Sequence, residues 1–158
     1  MLIRKAVETD VSKLLVLMRE LARFEKYIDA FAITADTLVE QGFRRSPPDF
    51  QCFVGEEDGE LLGMLVYYFI PFTYRAKPNV IVKELYVSKT ARGRGIGKLL
   101  MRAVANEAVK RASGAIKWYV ANWNNRGIDF YERLGAKLNR DWLEFEMSEE
   151  MFRRLAAS

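Results

Sequence analysis

Residues 80–88 read Val-Ile-Val-Lys-Glu-Leu-Tyr-Val-Ser, and residues 92–98 read Arg-Gly-Arg-Gly-Ile-Gly-Lys. The first block is apolar and β-branched, which suits an extended strand. The run from Ile96 to Ala112 carries Leu99, Leu100, Ala103, Val104 and Ala108 on one side, the spacing of a helix. A strand, a glycine turn and a helix in immediate succession point to an α/β chain in which a strand delivers a helix N-terminus to the end of a sheet. The turn also has a chemical meaning. Gly93, Gly95 and Gly97 let the backbone approach a ligand with its N–H groups bare. The helix N-terminus adds partial positive charge, and Arg92, Arg94 and Lys98 add full charges. The combination describes a cradle for a phosphorylated ligand, above all a pyrophosphate.

Two familiar phosphate motifs do not fit. The dinucleotide fingerprint G-x-G-x-x-G fails because Lys98 stands where its third glycine belongs. A P-loop fails because Arg92 replaces its first glycine and Leu99 its magnesium-binding hydroxyl residue. What remains is R-G-x-G-I-G.

The 158 residues suit one domain, 1–158, with a sizeable core, and half of them are apolar. No apolar run approaches the ~20 residues of a membrane span. Residues 1–5 lack the order of a signal peptide, so a cytoplasmic setting and no membrane partner are expected. Cys52 is the single cysteine, which excludes an intrachain disulfide. There is no histidine, which removes His-based nucleophilic catalysis and the usual zinc sites; no metal is expected. Proton transfer therefore falls to Glu, Asp, Tyr, Lys or water. The net charge of +4 is concentrated in the glycine-rich segment and its helix. Aromatics do not interleave with these cations and Glu107 interrupts them, which argues against nucleic acid.

Along the chain the pattern predicts a short strand at 2–6, then a helix from Thr9 or Asp10 to about Glu25, and a second short helix capped by Thr34. Strands follow at 50–55 and 61–69 around an Asp58-Gly59 hairpin, then at 79–87. After the helix at 96–112 come a strand at 116–121, a helix at 125–134 stopped by Gly135, an interrupted strand at 137–147 and a terminal helix. The order is an α/β arrangement on a mixed sheet.

A second block, Trp118-Tyr-Val-Ala-Asn-Trp-Asn-Asn125 leading to Ile128-Asp-Phe-Tyr131 and Gly135-Ala136, completes a two-part pattern. Together the two blocks resemble the GNAT family of acetyl-CoA-dependent N-acetyltransferases. The resemblance extends to its diamine and thialysine branch through Glu20-Leu-Ala-Arg-Phe-Glu25, Tyr67-Tyr-Phe69 and Val120-Ala-Asn-Trp-Asn124. It implies a mixed central sheet flanked by helices, with strands splayed at the CoA site. It further implies that the backbone of Leu85, Tyr86 and Val87 pairs with pantetheine, and that Arg92, Gly93, Arg94, Gly95, Ile96, Gly97 and Lys98 hold the pyrophosphate. Asn124 would contact the cofactor arm, with Asn125, Arg126 and Gly127 near it. Tyr131 would protonate the leaving thiolate and also touch the cofactor. Phe24, Glu25, Lys83 and Glu84 would meet a small-molecule amine.

A free alkyl ammonium has a pKa near ~10.4, so the amine must lose a proton before it attacks. Glu84 is placed to take it, directly or through water; otherwise it is a sheet-face carboxylate paired with Lys83 or a neighbouring strand. Cys52 reads as packing, which favours direct transfer in a ternary complex. Lys83 replaces one of two adjacent acids typical of diamine acetyltransferases, and Arg140-Asp141 falls where another acidic position is expected. That substitution repels polyamines and favours an amine with its own carboxylate, such as thialysine. Acetylation of a protein or peptide amine and a non-catalytic acyl-CoA sensor are the alternatives. Relatives are commonly homodimers, and Trp142, Phe145 and Phe152 would serve as interface residues or pack on the domain's own sheet.

Overall fold

The β-branched and aromatic runs of the chain assemble into a five-stranded sheet in a computed structural model that describes residues 1–158. The strands are β1 (Leu2–Lys5), β2 (Gln51–Glu57), β3 (Glu60–Ile70), β4 (Asn79–Val87) and β5 (Ala115–Lys117), in that spatial order. The first four pair antiparallel, and β4 pairs with β5 in parallel, so the sheet is mixed. The helices are α1 (Val11–Phe24), α2 (Ala35–Val39), α3 (Ile96–Lys110), α4 (Asn125–Arg133) and α5 (Glu149–Ala156). The chain divides into two compact units, 1–121 and 122–158.

In the first unit, alternation along the strands gives the sheet two apolar faces. Cys52, Val54, Met64, Val66 and Tyr86 form one core with Leu14, Leu17, Met18 and Leu21 of α1. Each such leucine, fully buried, contributes roughly 1.5–3 kcal/mol. On the other face Phe53 stacks on Tyr67 at 5.5 Å between ring centroids. The same face receives α3. Gly55 and Gly63 lie opposite each other in β2 and β3. A Cβ on Gly63 would sit 3.2 Å from the Ile96 side chain, 3.3 Å from that of Leu100 and 3.0 Å from the Tyr86 carbonyl. The paired glycines thus let the first turns of α3 approach the sheet, which sets the height of the glycine turn above it.

Asp10 does not cap α1 with its side chain. Its carboxylate accepts from the Val7 N–H at 2.9 Å and from the Arg4 guanidinium at 2.6 and 2.9 Å, tying β1 to the turn before α1. Thr34 does cap α2, accepting from the Thr37 N–H at 3.1 Å, and the chain continues as a π turn over Glu40–Arg44.

In the second unit Asn124 caps α4 by accepting from the Gly127 N–H at 3.0 Å. The helix closes at Gly135, whose φ is +88°, with Ala136 N–H donating to the Tyr131 carbonyl at 3.1 Å and Gly135 N–H to Glu132 at 2.9 Å. This is a Schellman closure. Two expectations change. The strand expected at 116–121 covers only Ala115–Lys117, and 137–147 forms no strand. A strand is stable only with a ladder partner; β5 pairs with β4 no further than Lys117, and 137–147 pairs with no strand.

Candidate active site

The chain from Val87 to α3 builds a turn whose backbone donors are suited to an anion. Gly93 and Gly95 adopt φ of +82° and +80°, a conformation that L side chains resist, and no atom lies within 4 Å of where their Cβ atoms would be. Gly95 is the N-cap of α3 and supplies no side chain, so the first-turn N–H groups of Ile96, Gly97 and Lys98 lack an intrahelical or side-chain acceptor. Helix dipole and bare donors converge there. The three cations divide their labour. Arg94 makes a two-pronged ion pair with Glu57 of the β2–β3 hairpin, at 2.8 and 2.6 Å. Arg92 turns back toward the sheet, donating from Nε to the Val87 carbonyl at 3.1 Å. Lys98 is exposed and held by no ion pair.

Beside the cradle, β4 and β5 part company. Their ladder runs only from Asn79↔Ala115 to Ile81↔Lys117, so Val82 to Val87 has a strand neighbour on the β3 side alone. Ser88 N–H donates to the Leu62 carbonyl at 2.9 Å. By antiparallel alternation Tyr86 and Glu84 also direct their backbone groups to β3, whereas Leu85 and Val87 direct theirs to the open side. Of the three residues expected to offer backbone, Leu85 and Val87 therefore present it. The Tyr86 backbone belongs to the ladder and its ring to the core under α1.

A bulge places the charged groups. Val66 faces Glu84 and Tyr67 faces Val82, which leaves Lys83 as the extra residue of β4. Glu84, opposite Val66, lies on the α1 face. Its Oε2 is shielded from solvent and has no hydrogen-bond partner. Burial pushes its carboxyl above the usual range, Lys83 opposes the shift and Glu25 adds to it. Glu25 follows α1 directly. Lys26 adopts φ +65° and Tyr27 N–H donates to the Ala22 carbonyl at 2.9 Å, which closes α1 without a glycine. Burial likewise raises the Glu25 carboxyl, against the pull of Lys83. The Tyr27 phenol is pushed up to about 12 by burial, then by Glu84 and Glu25.

Glu25, Tyr27, Lys83 and Glu84 thus lie within electrostatic reach of one another, and Phe24 adjoins them. Paired carboxylates with raised pKa values are suited to hold an ammonium or to take a proton from it, and Lys83 is suited to hold a carboxylate. Sequence reasoning missed Tyr27, because the helix end that presents it lacks the glycine that marks such ends, and Glu57, which lies far from Arg94 in sequence. The buried Cys52 thiol is pushed up to about 12 by burial, the state of an inert core thiol.

The remaining candidates lie in the second unit. The Asn124 side chain is engaged in capping α4, with Asn125, Arg126 and Gly127 in its first turn. Tyr131 is half-buried on α4, its ring 5.1 Å from that of Phe130.

Comparison with known proteins identifies the family. The family model described as Acetyltransferase (GNAT) family matches residues 15–136. The chain is 34% identical to a thialysine N-epsilon-acetyltransferase of Sus scrofa, covering 98% of this chain and 96% of that one. It is 28% identical to an L-ornithine N5-acetyltransferase of Arabidopsis thaliana, covering 89% and 81%. An integron cassette protein from the mobile metagenome of V. cholerae shares the fold with a TM-score of 0.82 at 23% identity, covering 99% and 98%. With a family match over most of its length, a relative this similar end to end, and a sheet that opens beside a glycine cradle, the chain belongs to the GNAT family and is an N-acetyltransferase.

Proposed function

We propose that this enzyme moves an acetyl group from acetyl-CoA to a primary amine of a small molecule that carries its own carboxylate, a thialysine-like amino acid. The observation that carries the substrate class is the cluster of Glu25, Tyr27, Lys83 and Glu84, with two carboxylates for the amine and one ammonium for a carboxylate. The named activities of the thialysine and ornithine relatives support it. Acetyl-CoA fits the residues present: the cradle at Gly93–Lys98 offers bare N–H groups for the pyrophosphate, and Leu85 and Val87 offer an open backbone edge for the pantetheine. When bound, it supplies the thioester carbonyl that the amine attacks.

The chain's residues then have three tasks. Glu84 accepts the proton of the incoming ammonium, directly or through water, and its raised pKa makes it a stronger base than an exposed glutamate. Glu25 and Lys83 hold the substrate's two ends. Tyr131 donates a proton to the departing thiolate as the new C–N bond replaces the C–S bond. The inert Cys52 supports direct transfer in a ternary complex over an acetyl-cysteine route. We include in this reading a single functional domain, supported by a family match that runs across both compact units. It also includes a homodimer, supported by the exposure of Trp142 (82%) and Phe145 (92%).

Free-thiol release from acetyl-CoA against thialysine, lysine, spermidine, putrescine and a short lysine peptide tests the reading. Thialysine or lysine is expected to exceed spermidine by about ten-fold or more in kcat/KM. A strong preference for spermidine would overturn the amino-acid assignment, and a preference for the peptide would make a protein the substrate. No turnover with any amine, while CoA still binds, would make the chain a sensor.

A further inference from the structure

We infer that Arg92 is a positioning residue for the amine acceptor, acting through Phe24, rather than a charge partner for the phosphates. The inference rests on the function proposed above. The Arg92 guanidinium carbon lies 5.2 Å from the centre of the Phe24 ring and 5.5 Å from that of Tyr86. Both are within cation–π range. Its Nε–H donates to the Val87 carbonyl at 3.1 Å. The side chain is thereby engaged on two aromatic rings and one backbone oxygen, and those contacts join two elements. Phe24 is the last residue of α1 and immediately precedes Glu25, whereas Tyr86 and Val87 end β4. One planar cation thus fixes the distance between the helix end that presents Glu25 and the strand that presents Glu84.

The contact with Val87 has a second effect. Val87 directs its carbonyl to the open side of β4, where strand alternation leaves it without a ladder partner. The Arg92 Nε–H satisfies that oxygen. The edge left for an incoming pantetheine is then the Leu85 pair and the Val87 N–H, so Arg92 also sets where the open edge stops. Anion binding does not need its charge. Arg94 is paired with Glu57, while Lys98 is exposed in the first turn of α3 without an ion pair and the first-turn N–H groups lack acceptors. Lysine cannot replace arginine in this role, because an ammonium lacks both the planar face and the Nε donor.

The test compares Arg92→Lys, Arg92→Gln and Phe24→Leu. Acetyl-CoA affinity is measured by calorimetry, and KM and kcat for the best amine of the panel by thiol release. All three variants are expected to raise the amine KM by about ten-fold while CoA affinity stays within about three-fold. The Arg92→Gln/Phe24→Leu pair is expected to be no worse than Arg92→Gln alone, because Arg92→Gln already removes the contact with Phe24. A loss of CoA affinity in Arg92→Gln that Arg92→Lys restores, with the amine KM unmoved, would overturn the inference and make Arg92 a phosphate ligand. If Arg92→Gln does not fold, Phe24→Leu decides by the same two readouts. An independent measurement needs no turnover. The Arg92 Nε–H resonance of the wild-type protein is expected to be exchange-protected and ring-shifted, and to lose the Phe24 share of the ring shift in Phe24→Leu. An unprotected, unshifted resonance would sink the inference, whereas absence of turnover with every amine beside a protected resonance would sink only the proposed function.

Discussion

A carboxyl pressed against apolar sheet neighbours resists ionisation, and Glu84 carries the raised pKa that results. The sign of its linkage to stability follows. Its folded pKa lies above the ordinary 4.5, so its stabilising contribution is present below that value and is lost as pH rises through the folded pKa. Wherever the buried group is ionised it burdens the fold. Glu84→Gln is therefore expected to raise the melting temperature at pH 7, each ~1 kcal/mol gained being worth about 2–4 °C in a chain of this size. The gain should vanish near pH 4. The same substitution should lower kcat by about a hundred-fold or more and remove the acid limb of the pH–rate profile. Thermal melts at the two pH values and a pH–rate series check this. A variant destabilised at pH 7 with turnover intact would show a structural carboxylate instead.

One scale up, the turn before α3 works through its backbone. Gly95 and Gly59 have almost equal φ, +80° and +81°, and neither has an atom within 4 Å of a prospective Cβ. Alanine at either position thus costs only left-handed strain, about 1–2 kcal/mol. The two differ in place, since Gly59 turns the β2–β3 hairpin and Gly95 caps α3. Gly59→Ala and Gly95→Ala should lose similar stability in denaturant melts. Only Gly95→Ala should lose CoA affinity by calorimetry, by about ten-fold, because relaxing its φ re-aims the first-turn N–H groups. Equal affinities in the two variants would remove the cradle from the binding site.

For the molecule as a whole, the distribution of buried surface is uneven. Residues 1–121 contain every fully buried side chain, and residues 122–158 contain none. A segment shorter than about 40 residues without a core needs a further stabilising contact. Trp142, Leu143 and Phe145 are 82, 84 and 92% exposed, and we propose that this concentration of apolar surface supports a homodimer. Light scattering is expected to report a dimer of the 18.3 kDa chain, and Trp142→Arg with Phe145→Lys to yield a monomer. A monomeric wild-type protein would contradict this. No helix is long and apolar enough to cross a membrane.

Local chemistry made much of this legible in the sequence. The apolar, β-branched run forms β4 over Asn79–Val87, and Gly93 and Gly95 build the turn, because glycine adopts positive φ without left-handed strain. The resemblance implies Phe24, Glu25, Lys83 and Glu84 as substrate residues, but the physical cause that brings Glu25, Lys83 and Glu84 within electrostatic reach was not legible. A bulge at Lys83 is a register property of two strands, and the closure at Lys26 lacks its usual glycine. The sequence alone therefore determined which residues can form a strand, a cradle and a helix, since those depend on each residue and its near neighbours. Only the tertiary structure decided where the cations point, turning Arg94 to Glu57 and Arg92 to Phe24, and which backbone edge stays open, because those depend on partners brought close by folding.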